Sequence, residues 1–108
     1  MSADTKEDVV RLLKTELPRL KRRYGVKRIA LFGSFVSGAP SVESDVDLVV
    51  ELGRPLGFEF VSMVNELELR LGRKVDVTTS ETLEVIRSHP RYQRVADNIL
   101  AHLSYVDE

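Results

Sequence analysis

Two aspartates stand two residues apart at the head of an apolar run, and that spacing constrains the fold more than any other feature of the chain. Residues 44–51 alternate: Ser44, Val46, Leu48 and Val50 share one face of an extended segment, and Asp45, Asp47, Val49 and Glu51 share the other. The first face must be covered by an apolar layer. The head of the second must stay open to solvent or to a ligand. A strand with one buried face and one acid-bearing face is therefore expected. A glycine–serine turn, Gly33–Ser34, lies just upstream, directly after the apolar run Val26–Phe32.

Two carboxylates leaving the same face repel each other, and one tends to keep its proton unless a cation stands between them. A donor set made only of oxygen suits magnesium or manganese, and magnesium favours a few carboxylates with substrate phosphates completing its shell. A third acid from a neighbouring strand is then expected. Asp76 is the candidate, because it interrupts RKVDVT between Val75 and Val77. Three carboxylates can hold two metal ions roughly 4 Å apart, one activating an attacking hydroxyl and one supporting a triphosphate and its leaving group. Gly33 supplies a close turn with backbone donors, Ser34 adds a hydroxyl, and a helix starting here would aim its amino end at the same anion. Each feature alone has a plainer reading, since Gly-Ser is a turn and Ser44 with Asp45 suits a turn before a strand. Their combination carries the chemistry.

The remaining elements follow from periodicity. Val9, Leu13, Leu17, Leu20 and Tyr24 predict a helix over residues 4–24, capped by Ser2 or Asp4, kinked or restarted at Pro18 and ended by Gly25. Lys21, Arg22 and Arg23 suit its last turn. A strand is expected over 26–32, a short helix or turn over 34–38, a loop at Gly38, Ala39 and Pro40, and a strand over 44–51. A helix over 58–71 places Phe60, Val64, Leu67 and Leu71 on the buried stripe with Phe58 and Val61 beside it. A strand over 73–78 and a helix over 80–88 come next. A last helix over 91–105 aligns Tyr92, Val95, Ile99 and Leu103. The short first link permits an antiparallel strand pair and the helical crossover a parallel one. The expected fold class is α/β, a small mixed sheet with helices packed on it.

Composition narrows the function. The chain has 108 residues, enough for a single domain over 1–108, and 43% are apolar. Its 16 basic and 17 acidic residues leave a formal charge of −1, which excludes a broadly basic surface, so direct nucleic-acid binding is not expected. No cysteine is present, which excludes disulfides, thiolate ligands and cysteine nucleophiles. No apolar run is long enough to span a membrane, and the acidic N-terminus does not read as a signal peptide, so a cytoplasmic location is expected.

Residues 32–50, FGSFVSGAPSVESDVDLVV, resemble the signature of the polymerase-beta-like nucleotidyltransferases: Gly-Ser, a spacer, then Asp-x-Asp in a strand. The resemblance covers essentially the whole chain and points to the minimal members, often the antitoxin half of a toxin–antitoxin pair. It implies the polymerase-beta-like fold. It implies that Gly33 and Ser34 cradle phosphate, that Asp45 and Asp47 bind metal, and that Asp76 helps ligate the catalytic ion and takes the proton of the incoming hydroxyl. The implied cofactor is Mg2+, two ions when substrate is bound, with ATP as substrate. The implied reaction moves AMP, or another nucleotide, to a hydroxyl such as a tyrosine of a HEPN-type toxin partner. One departure concerns the cradle. Where the family often has arginine before the second glycine, this chain has Ser37 before Gly38, with Arg22, Arg23, Lys27 and Arg28 as candidate substitutes. That departure keeps open a non-catalytic antitoxin that neutralises its partner by covering it, or a nucleotide-binding subunit. A homodimer through the apolar terminal helix also fits so small a domain.

Overall fold

A computed structural model of the chain describes residues 4–37 and 45–106. The first element, α1 (Lys6–Tyr24), buries Val9, Leu13, Leu17, Leu20 and Tyr24, the stripe that its spacing predicts. Its N-cap is Thr5, whose Oγ1 accepts the Asp8 N–H at 3.1 Å. Asp4, one of the two expected caps, instead accepts from Arg73 at 3.3 Å, and Ser2 lies outside the described residues. Pro18 does not restart the helix. The missing hydrogen bond and ring clash cost ~3 kcal/mol, less than the burial of the five side chains that flank it, at about 1.5–3 kcal/mol each.

Strand β1 (Val26–Phe32) leads through the single turn α2 (Ser34–Ser37) toward β2 (Val46–Leu52). Next come α3 (Glu59–Leu71), β3 (Val75–Thr79), α4 (Ser80–Ser88), α5 (Gln93–Ala101) and β4 (Ser104–Val106). The sheet order is β3-β2-β1-β4. β1 runs antiparallel to β2 and to β4, while β2 and β3 are parallel across the α3 crossover. The sheet is therefore mixed, as expected. Val46, Leu48 and Val50 are fully buried and join Ile29, Leu31 and the inner faces of α1 and α3 in one core. The opposite face carries Asp45, Asp47 and Val49, with α4 lying against β2 and β3. The expected loop at Gly38, Ala39 and Pro40, and the strand position Ser44, lie outside the described residues.

Several further expectations are corrected. The last helix stops at Ala101, where His102 caps it by donating its backbone N–H to Ile99 O at 3.1 Å. Residues 104–106 then form a fourth strand that pairs Ile29 with Val106 and Leu31 with Ser104. On that helix the fully buried side chain is Ala96, whereas Tyr92 and Val95 are exposed, because a small residue lets α5 approach α4. On α3 the buried row is Met63, Leu67 and Leu71 at a strict four-residue spacing, with Phe60 and Val64 only half-buried. Phe58, expected to anchor α3, precedes its first turn and is 94% exposed, and Val61 is 57% exposed.

The rotation of the α3 stripe is testable by chemical denaturation. Met63→Ala should destabilise the protein by about 2–5 kcal/mol, the cost of truncating a fully buried side chain. Phe58→Ala should stay within about 0.5 kcal/mol of the parent. The reverse order would return Phe58 to the core.

Candidate active site

The site forms where β1 ends, β2 begins and β3 begins. Parallel pairing of β2 with β3 sets Asp47 directly beside Asp76, and antiparallel pairing with β1 sets Asp47 beside Phe32. Register neighbours in a sheet lie roughly 5 Å apart. Asp45 precedes β2 by one residue and lies on the same side of the pleat as Asp47. Asp45 and Asp76 are exposed and Asp47 is half-buried. Burial, then the Asp76 charge, then the Asp45 charge hold the Asp47 carboxyl above its ordinary range. The three sequence-selected acids thus meet at one end of one sheet face.

Gly33 completes the floor. Its φ of +78° turns the chain out of β1, and its carbonyl accepts the Val36 N–H at 3.0 Å to close α2. A Cβ at this position would collide with Asp47 Oδ2 and lie 3.2 Å from Asp47 Cγ. The Asp47 carboxylate therefore rests on the glycine backbone. The backbones of Ser34 and Ser37 belong to α2, while their side chains lie outside what is described. With one turn, α2 offers a few free N–H groups rather than the dipole of a long helix. Phe35 is fully buried and pins the turn to the core, and Val36 faces a cleft beside the acids.

Among the described residues, no group of three or more His, Asp or Glu side chains is gathered that could hold a metal ion as it stands. Asp47 lies in the field of Asp76 and Asp45, yet the three carboxylates do not bring their oxygens to one point. Their chemistry nonetheless fits a divalent cation. The donors are all oxygen, they converge from adjacent strands, and the central carboxyl carries the repulsion that a cation would remove.

The four cations considered as substitutes for the missing arginine lie elsewhere. Arg22 and Arg23 end α1, and Lys27 and Arg28 begin β1, at the end of the sheet away from Gly33. At ~3.3 Å per residue, Arg28 starts roughly 17 Å from the turn. Arg23 pairs with Glu66 at 2.9 Å, and the Arg28 guanidinium lies 3.6 Å over the Tyr105 ring. The cation that does sit near α2 is Arg73, which the sequence reading did not single out. Its side chain is 8% exposed, lies 5.2 Å over the Phe35 ring and pairs with Asp4. It braces α2 against the start of α1. Its neighbourhood depends on a contact 69 residues distant, which local pattern cannot reveal.

Comparison with known proteins identifies the family and the fold. The nucleotidyltransferase domain family matches residues 13–106. The protein adenylyltransferase MntA of Thermococcus cleftensis is 30% identical over 107 residues, covering 98% of this chain and 100% of the relative. A solved structure described as a candidate minimal nucleotidyltransferase superposes with a TM-score of 0.67 at 27% identity, covering 96% of this chain and 98% of its own. A mutant toxin–antitoxin complex containing MntA shares the fold, with a TM-score of 0.60 at 15% identity over 95% of this chain and 73% of that one. Among the described residues, no helix is long and apolar enough to cross a membrane.

Gly33 and Gly25 provide a matched test. Both have a φ near +70°, but a Cβ at Gly25 meets only the flexible Arg54 side chain, at 3.3 Å. Gly25→Ala should cost about 1–2 kcal/mol from the left-handed backbone alone. Gly33→Ala should cost more, and the excess should vanish in an Asp47→Ala background. A double-mutant cycle in urea reads that coupling, expected at about 0.5–3 kcal/mol.

Proposed function

The chain belongs to the nucleotidyltransferase domain family, and from that premise we propose that it transfers AMP, or another nucleotide, from a nucleoside triphosphate to a hydroxyl on a partner protein. The observation that carries this reading is the register pairing of Asp47 with Asp76 beside the Gly33 turn. The backbone N–H groups of the turn, with the Ser34 hydroxyl, hold the triphosphate, and Ser37 closes the cradle where relatives often carry arginine. Asp76 takes the proton of the incoming hydroxyl as its oxygen attacks the α-phosphorus in line and pyrophosphate leaves. Asp45, Asp47 and Asp76 would hold a divalent cation, magnesium by the donor set and two ions with substrate bound, which would supply charge to stabilise the transferring phosphate.

The acceptor in this reading is a tyrosine of a HEPN-type toxin, and its modification makes the chain the antitoxin. Support comes from the MntA relative, named a protein adenylyltransferase, and from the toxin–antitoxin complex in which an MntA of the same fold occurs. A second reading, an antitoxin that acts by covering its partner, is favoured by one observation. Ser37 leaves the cradle without its arginine, and Arg22, Arg23, Lys27 and Arg28 stand at the far end of the sheet.

Incubation with labelled ATP, magnesium and the protein encoded beside this one should label that neighbour. Changing Asp45 and Asp47 together to Asn should cut labelling by at least ~10²-fold, the scale of losing a preorganised electrostatic element, while the domain stays folded. Labelling that survives the double change would sink the site assignment. Neutralisation of the toxin by the unlabelling variant would select the covering mechanism.

A further inference from the structure

A cleft of about 510 Å3 opens between the Gly33 turn and α5, lined by Phe32, Gly33, Val36, Asn98, Ile99 and His102. Its size falls within the roughly 300–1,000 Å3 of small-molecule sites. Gly33 belongs both to this cleft and to the carboxylate cluster, because Asp47 rests on it. Whatever fills the cleft is therefore adjacent to the phosphates that the turn would hold. Phe32, Val36 and Ile99 form half-buried apolar walls, and Asn98 and His102 are its polar side chains. Apolar walls with polar groups at one edge match a flat heteroaromatic ring better than a sugar or a phosphate.

His102 adds a direction to that match. Its Nδ1 lies 2.8 Å from the Asn98 carbonyl oxygen. A carbonyl oxygen can only accept, so Nδ1 carries the hydrogen. With Nδ1 holding its hydrogen, the uncharged form of the ring presents Nε2 as an acceptor. An acceptor pairs with an exocyclic amino group and is repelled by an oxo group at the same place. Resting on the transferase reading above, we propose that the cleft takes the base of the donor nucleotide, and that His102 selects adenine or cytosine, with their amino groups, over guanine or uracil, which present an oxo group there. His102 is a specificity-determining residue in this assignment, and Ile99 with Val36 sandwiches the ring.

The test is calorimetric titration of the full chain with ATP, CTP, GTP and UTP in magnesium, without acceptor. ATP and CTP should each bind roughly 3–10-fold more tightly than GTP and UTP, the worth of one hydrogen bond. His102→Ala should abolish the preference, lowering ATP affinity and raising GTP affinity toward a common value. His102→Gln, whose amide can turn to donate or accept, should bind all four alike. Thermal melts of both variants establish that the fold is retained. Equal ATP and GTP affinity in the parent, or an unchanged ratio in His102→Ala, overturns the base assignment and leaves the transferase reading intact. Failure of all four nucleotides to bind removes the transferase reading itself, and the base pocket with it.

Discussion

Asp47 can rest its carboxylate on the end of β1 only because residue 33 has no side chain. That contact ties together three things that would otherwise be independent. It fixes where β1 stops, since a left-handed turn follows at once. It buries part of an acid and so raises its proton affinity. It also leaves backbone donors of the turn beside the acids, where a phosphate and its metal would share one small space. A side chain at position 33 would move the acid, the turn or both. The local backbone conformation and the electrostatics of the site are thus one constraint.

Much of this was legible because both faces of β2 are written in its alternation. Val46, Leu48 and Val50 needed a core, and the opposite positions were left for chemistry. The same logic found Asp76, an acid with no packing reason to interrupt its strand, and the parallel register then brought it beside Asp47. What periodicity could not reveal was what depends on distant partners. Ser104, Tyr105 and Val106 follow a helix whose spacing continues through Ile99 to Leu103, so nothing local announces a strand. The free edge of β1 recruits them. Phe58 looked like an anchor because aromatic residues usually are, but the row Met63, Leu67 and Leu71 already fills the space under α3. Nothing in the local pattern singles out Arg73, whose stacking on Phe35 depends on α2 folding over it.

The distribution of cations separates the two ends of the molecule. The basic cluster at the end of α1 and the start of β1 is occupied structurally: Arg19 and Arg23 share Glu66, and Arg28 covers Tyr105. Such exposed pairs contribute little each, about 0–1 kcal/mol, but they show that these side chains are committed to the fold at a distance from the acids. The acid end carries three clustered aspartates, so its field is negative, and a polyanionic donor can approach only with counter-charge. In the proposed reading the turn amides would provide part of it and divalent cations the rest, so the all-oxygen donor set would matter more in a chain that has serine at position 37.

β1 is the element through which the two walls of the site are registered. One edge pairs with β2 and sets the acids. The other pairs with β4 and so holds the end of α5, the wall that carries Asn98 and His102. Helix α5 is held on one side by α4, through buried Ala96 and the Arg87–Asp97 pair at 2.9 Å, which leaves its position relative to β1 to be set elsewhere. The three residue pairs between β4 and β1, with Val106 buried at their end, supply the missing constraint. A short fourth strand without any sequence signal of its own therefore helps set the position of α5 relative to the Gly33 turn. The pairing that local pattern failed to announce is the one on which the shape of the cleft depends.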